Sequence, residues 1–386
     1  MELLADHIAT KLENRKVSAV TVVDDFTVMS NSHAASDQEV AKILADPGFG
    51  KYFTDHMVTI EFDERIGWHD AQVRPRQDLL LAPEAAVLHY GQAVFEGLKA
   101  YQQPDRSVAC FRPDMHAARL RTSARRLAMP ELPTSIFLAS ITRLLDADRR
   151  WLPADDGKSL YLRPFMIATS RGLNVTPADE YLYTVIASPS APYFGDVLRP
   201  VTVWVSREYV RAAPGGTGSA KYPGNYGAAF IAQIEAREHG CDQVVWLDAI
   251  ERRWVEEMGA MNLFFVFGSG RQARIVTPEL SGSLLPGVTR DSLLTLARDE
   301  GLTVQERRVS IEEWIRTAAT GELTEVFACG TASVVSPVGR VRYAQGEATI
   351  GDQAAGPVTS RLRRRLTAIQ AGSAPDPYGW MRTLLQ

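Results

Sequence analysis

Lys221 stands alone among glycines and small residues in Gly215-Gly-Thr-Gly-Ser-Ala-Lys-Tyr-Pro-Gly-Asn-Tyr-Gly227. Such a run lets backbone approach a ligand closely, because glycine has no Cβ. A lysine amine held there can form a Schiff base with an aldehyde cofactor. A flexible surface loop with a solvated lysine is the plainer reading. A phosphate-binding P-loop does not fit, since the GxxxxGK[ST] spacing is absent.

Four more stretches carry candidate chemistry. Glu256 and Glu257 stand in Val255-Glu-Glu-Met-Gly-Ala-Met-Asn262, before a buried strand. A carboxylate there can hold a protonated pyridine nitrogen, or it can be an ordinary hairpin. Leu284-Leu-Pro-Gly-Val-Thr-Arg-Asp291 feeds a helix, and a helix start offers free N–H groups and a positive dipole end to a phosphate. Many helix starts look the same. Phe327-Ala-Cys-Gly-Thr-Ala-Ser333 is a second possible anion-binding turn. Arg119 can pair with phosphate oxygens; the arginines around it read as a solvated face.

These residues need a framework of strands and helices. Met57 to Phe62, Ser159 to Thr169 and Tyr181 to Ser188 read as strands, as do Val201 to Ser206, Gln243 to Asp248 and Leu263 to Phe267. Ser30 to Asp46 reads as an irregular lead-in and a short helix. Helices are expected at Ala117 to Leu127, from Gly287 with Leu293, Leu294, Leu296 and Ala297 on it, and over Arg361 to Ile369. Another starts at Ser310, where Glu313 completes a capping box. The class is mixed α and β. The proline-rich 189–200 stretch reads as a connection. It gives a smaller α/β domain over 1–190, an interdomain loop over 191–201 and a larger α/β domain over 202–386.

The 386 residues, 45% of them apolar, suffice for two packed domains. A net charge of −4 gives no footing for nucleic acid or a membrane surface. No apolar stretch is long enough to span a bilayer, and the acidic N-terminus has no signal-peptide pattern. Cys110, Cys241 and Cys329 are odd in number and lack CxxC spacing. Neither a disulfide framework nor a metal site is expected, and a reducing cytoplasm fits.

Taken together the motifs resemble the branched-chain amino-acid aminotransferases, which have the type IV pyridoxal-phosphate fold, also called D-amino-acid aminotransferase-like. The matching stretches are Gly48 to Met57, Leu88 to Ala100, Ser159 to Pro164, the Lys221 loop, Glu256 to Asn262, Leu285 to Gly287, Cys329 to Ala332 and Gly379 to Met381. They run in the family's order, and resemble its longer animal and actinobacterial-like subgroup. The resemblance implies pyridoxal 5′-phosphate as cofactor, with transfer of amino groups from leucine, isoleucine and valine to 2-oxoglutarate. It also implies a homodimer, with Leu173 and Val175 reaching into the partner's site.

By the same resemblance Lys221 carries the cofactor and later moves a proton at the substrate Cα. Tyr226 meets the phenolic oxygen and Glu257 the pyridine nitrogen, with Glu256 a bystander. Arg119, Val288, Thr289 and Thr331 take the phosphate, and Leu285 packs on the ring. Phe49, Tyr90, Phe95, Tyr161, Arg163, Tyr193 and Ala332 line the substrate, with Arg163 meeting the second carboxylate of glutamate. Animal relatives carry a CxxC after the Gly-Thr-Ala turn; Ser333 and Ser336 stand there here, so thiol control is not expected. Ala260, Pro223, the 169–175 loop and Tyr193 to Asp196 depart from the family pattern around the substrate. They leave open a same-fold aminotransferase for a specialised amino acid. Intact Lys221, Glu257, Tyr226 and Arg119 speak against an inactive homologue.

Overall fold

The computed structural model describes residues 25–154, 157–191, 198–270 and 273–386. Two nine-stranded sheets organise them. The first sheet holds β1 (Thr27–Val28), β2 (His56–Asp63), β3 (Gly67–Pro75), β4 (Ala93–Phe95), β5 (Leu98–Gln102), β6 (Val108–Phe111), β7 (Ser159–Ala168) and β8 (Glu180–Ser190). The second holds β9 (Val201–Val205), β10 (Gln243–Leu247), β11 (Val255–Met258), β12 (Met261–Phe267), β13 (Arg274–Thr277), β14 (Thr303–Glu306), β15 (Leu323–Gly330), β16 (Val334–Tyr343) and β17 (Gly346–Thr349). The ninth strand of the first sheet is β18 (Met381–Leu385), antiparallel to β6. This amends the expected division: 202–386 does not stay in one sheet, because its last strand returns to the first.

Helices cover both sheets. α1 (Asp37–Ala45) opens with a complete capping box, Ser36 with Glu39, which the sequence reading had not singled out. The short α2 (Ala86–Tyr90) precedes β4, and α3 (Pro113–Arg126) and α4 (Thr134–Ala147) follow β6. Ile136, Phe137, Ile141, Leu144 and Leu145 recur at helical spacing and are the buried face of α4. They pack into the core of the first sheet with Val58, Ile60 and Val73. Each such side chain contributes about 1.5–3 kcal/mol on burial.

In the second half α5 (Pro223–Gly227) and α6 (Phe230–Glu238) precede β10, and α7 (Val288–Asp299) and α8 (Ile311–Ala319) flank β14. α9 (Pro357–Gln370) follows β17. The apolar run of β12 is buried from Asn262 onward, between antiparallel partners β13 and β15. Leu293, Leu294, Leu296 and Ala297 of α7 are buried, as their spacing predicts. At α8 only half of the expected capping box forms. Ser310 Oγ accepts from the Glu313 N–H, while the Glu313 carboxylate pairs with Arg307 instead. A charged partner outcompetes the backbone N–H.

Candidate active site

The connection into α5 places Lys221 between the two sheets. Its N–H donates to Ser123 Oγ of α3 at 2.9 Å, and its carbonyl accepts from the Phe95 N–H of β4 at 3.0 Å. Asn225 Nδ2 donates to the carbonyls of Thr217 and Ala220, and Thr217 Oγ1 donates to Asn225 Oδ1. The glycine-rich run is thus pinned along its length, not a loose surface loop. A Cβ on Gly218 would overlap the Ser283 carbonyl oxygen, so only glycine permits this approach. Pro223 takes the first position of α5, where its missing N–H costs nothing.

Lys221 Nζ donates to the Tyr226 hydroxyl at 3.1 Å and lies 4.7 Å from the Phe95 ring centroid. Both residues line a cavity of about 340 Å³. Its wall includes Phe49, Phe95, Arg119, Tyr161, Arg163, Leu285, Val288, Thr289, Thr331 and Ala332, all singled out in the sequence. Arg163 stacks over Phe95 and donates to the Tyr161 hydroxyl at 3.0 Å.

One end of the cavity suits an anion. Val288 and Thr289 are the first two residues of α7, and no side chain caps that helix at Gly287. That helix start, with its free N–H groups and positive dipole end, borders the same cavity as Arg119 and Thr331. Arg119 is fixed by Glu96, which is fully buried just past the end of β4. Arg119 Nε donates to Glu96 Oε1 at 2.7 Å and Nη2 to Oε2 at 2.9 Å, while Nη1 donates to the Pro286 carbonyl. His116 Nδ1 lies 2.8 Å from Glu96 Oε2. Burial alone would raise the Glu96 carboxyl; the Arg119 charge and hydrogen bonds outweigh it and hold the group far below the usual range. Burial pushes the His116 imidazole down, against the pull of Glu96.

The two glutamates of β11 diverge, as alternation along a strand requires. Glu257 Oε1 accepts from the Leu285 N–H at 2.7 Å and is 3.4 Å from Asn262 Nδ2. It therefore sits directly behind two residues of the cavity wall, rather than on the wall itself. Glu256 turns away and accepts from Ser283 Oγ; its carboxyl is raised, chiefly by burial. The Thr331 to Ser333 turn, also on the wall, joins β15 to β16. Lys99 Nζ supports it from below, donating to the Ala332 carbonyl at 2.9 Å.

One expected substrate residue is not on this wall. Tyr90 ends α2, where Gly91 takes a left-handed turn, and its exposed ring donates its hydroxyl to the Leu173 carbonyl. Tyr193 lies outside the described residues. Sequence reasoning missed Glu96, Lys99, Ser123 and Arg211. Each is an ordinary polar residue in its own segment, given meaning only by a partner distant in the chain. Gln243 and Asn262, also on the wall, were passed over for the same reason.

Residues 93–341 match the family model described as amino-transferase class IV. The branched-chain-amino-acid aminotransferase of Mycolicibacterium smegmatis is 58% identical over 361 residues, 93% of this chain and 98% of the relative. A probable branched-chain-amino-acid aminotransferase of Streptomyces coelicolor is 56% identical, over 92% of this chain and 97% of the relative. The Escherichia coli branched-chain amino acid aminotransferase superposes with TM-score 0.69 at 27% identity, over 86% of this chain and 99% of that one. The T.th. enzyme of the same name, with pyridoxamine 5′-phosphate, gives TM-score 0.69 at 29% identity, over 85% and 98%. It has also been solved with N-(5′-phosphopyridoxyl)-L-glutamate and with 4-methylvaleric acid. The protein belongs to the class IV aminotransferases, enzymes that depend on pyridoxal phosphate.

Proposed function

We propose that the protein exchanges amino groups between leucine, isoleucine or valine and 2-oxoglutarate, reversibly, as a homodimer in the cytoplasm. The observation that carries this is the wall around Lys221. Phe49, Phe95 and Tyr161 offer an apolar surface, and Arg163 places a cation over the Phe95 and Tyr161 rings. Aromatic walls desolvate a branched aliphatic chain, at about 0.8 kcal/mol per buried methylene. Arg163 gives the second carboxylate of glutamate a partner. The T.th. relative has been captured with both chemistries, a glutamate adduct and 4-methylvaleric acid.

The donor set fits pyridoxal phosphate. An anion site of Arg119, Thr331 and the α7 start lies at one end. A buried carboxylate, Glu257, lies behind the Leu285 and Asn262 wall, and a lysine with a tyrosine hydroxyl lies on the cavity wall between. In this reading Arg119, Val288, Thr289 and Thr331 hold the phosphate, Leu285 packs on the ring, Tyr226 meets the phenolic oxygen and Glu257 meets the pyridine nitrogen. When bound, the cofactor supplies an electron sink that acidifies the substrate Cα–H bond. Lys221 holds the cofactor, yields to the incoming amine and then moves the Cα proton as a neutral base. The backbone of Thr331 and Ala332 orients the substrate carboxylate, and the aromatic wall excludes water.

Leu173 and Val175 are exposed in a loop tethered by Tyr90, which suits two apolar side chains that complete a neighbour's pocket. The second half of the chain, from the 191–201 connection onward, carries Lys221, and the first half supplies most of the substrate wall. No helix among the described residues is long and apolar enough to cross a membrane.

A panel of amino donors against 2-oxoglutarate tests the reading. Leucine, isoleucine and valine are expected to give the highest specificity constants. An aromatic, β-substituted or basic donor that exceeds all three by about tenfold, about 1.4 kcal/mol of discrimination, overturns the branched-chain assignment. A fully active monomer in light scattering overturns the dimer.

A further inference from the structure

Gly97 follows Glu96 in the connection from β4 to β5, and its missing side chain shapes the substrate wall. A Cβ built there would overlap the Tyr161 hydroxyl and stand 2.7 Å from the carbon bearing it. No real contact is that short, so the Tyr161 phenol occupies the space a side chain at position 97 would fill. The phenol is held in place from elsewhere too, edge-on against Phe49 with ring centroids 5.1 Å apart.

The Tyr161 hydroxyl accepts from Arg163 Nη2 at 3.0 Å. The Arg163 guanidinium then lies 4.9 Å from the Phe95 centroid, the same ring that Lys221 Nζ approaches to 4.7 Å. A single aromatic ring therefore spaces the amine that receives the substrate from the cation that receives a second carboxylate. Arg163 Nε is buried and makes no hydrogen bond among the described residues.

We propose that Gly97 determines substrate specificity, by admitting the Tyr161 phenol that stations Arg163. This rests on the reading of Arg163 as the partner of a second carboxylate. A methyl group at 97 evicts the phenol and releases Arg163. A five-carbon dicarboxylate then loses its far anchor, while a branched aliphatic acid keeps the Phe49 and Phe95 surfaces. Gly97 acts through Tyr161 and Arg163, so it is a positioning residue.

The test titrates the holoenzyme with glutarate and with 4-methylvalerate, following its visible absorbance, in wild type, Gly97→Ala and Tyr161→Phe. Gly97→Ala is expected to weaken glutarate about tenfold or more relative to 4-methylvalerate, the scale of one lost hydrogen bond to a charged group. Tyr161→Phe keeps the ring and removes only the hydroxyl, so it shifts the ratio in the same direction by less. Equal weakening of both ligands in Gly97→Ala, or an unchanged ratio in both variants, overturns the proposal. If Gly97→Ala does not fold, the ratio in Tyr161→Phe decides. A wild type that fails the donor panel yet shows the Gly97-dependent ratio sinks the branched-chain reading and leaves this one standing.

Discussion

Arg211 Nε lies 3.1 Å from Glu257 Oε2, both groups buried, in an ion pair whose N–H is not aligned as a hydrogen bond. Arg211 Nη2 donates to the carbonyls of Gly218 and Ser283. It thereby ties the glycine-rich loop, the 281–285 turn and β11 together at one guanidinium. The carboxylate is fixed in orientation while Oε2 accepts no hydrogen bond from the arginine.

Glu257→Gln is expected to cost far more activity than Glu256→Gln, because a charge-assisted contact is worth about 1.5–3 kcal/mol. Steady-state kinetics of the two variants check this. Arg211→Met is expected to resemble Glu257→Gln and also to lower the melting temperature, since it leaves a buried carboxylate without its counter-charge. The reverse order of the two glutamates would place the functional carboxylate on the other face of the strand.

Glu96→Gln is expected to loosen Arg119 and to weaken the holding of the phosphorylated cofactor. The variant keeps the volume and removes the charge that grips two nitrogens of Arg119. Apoenzyme titrated with pyridoxal phosphate should bind about 10-fold more weakly, the effect of losing roughly 1.4 kcal/mol. Pyridoxal, without the phosphate, should bind nearly unchanged. An equal loss for both would make Glu96 merely structural.

Lys99 gives the stability of the fold a pH dependence. Burial, with Arg363 nearby, lowers its amine from 10.5 to about 8. Between about 8 and 10.5 the unfolded chain therefore binds more protons than the folded one, and stability rises with pH in that window. Below about 8 the buried ammonium costs stability in full. Relative to Lys99→Met, the wild type should gain stability as pH rises from 8 to 10.5, read by denaturant unfolding. A constant difference across the window would contradict this.

Mild peroxide is expected to leave activity unchanged. Cys110, Cys241 and Cys329 are all buried and unpaired. Burial pushes each thiol up, which keeps it from the reactive thiolate. Ser333 Oγ lies 3.1 Å from Met261 Sδ, so the position that could have held a second thiol carries a hydroxyl packed on a thioether. A peroxide-induced loss restored by dithiothreitol would contradict this.

The legible parts of the chain were those whose signal is local. The apolar spacing of Leu293 to Ala297 and the alternation in Val201 to Val205 depend on neighbours a few residues away, so the periodicity is visible. The Lys221 run and the Leu285 to Thr289 turn stood out by composition, but an ordinary loop and an ordinary helix start look alike, and only the resemblance gave them roles. Glu96, Arg211 and Lys99 did not stand out, because a buried charge is meaningful only through its partner. Those partners lie 23, 46 and 233 residues away along the chain. Tyr90 shows the converse. Its motif is intact, but within one protomer its hydroxyl serves the Leu173 loop instead of the cavity.

The strand at 381–385 sets an order of events during synthesis. It covers the open edge of β6, and β6 leads directly into the helix that carries Arg119. That edge stays bare while the ribosome makes the more than 260 residues in between. Exposed strand edges template aggregation, and pairings this distant in sequence form late. A nascent chain therefore keeps this vulnerable edge until residues 381–385 emerge, and the helix of Arg119 follows a strand that is paired on one side only until then.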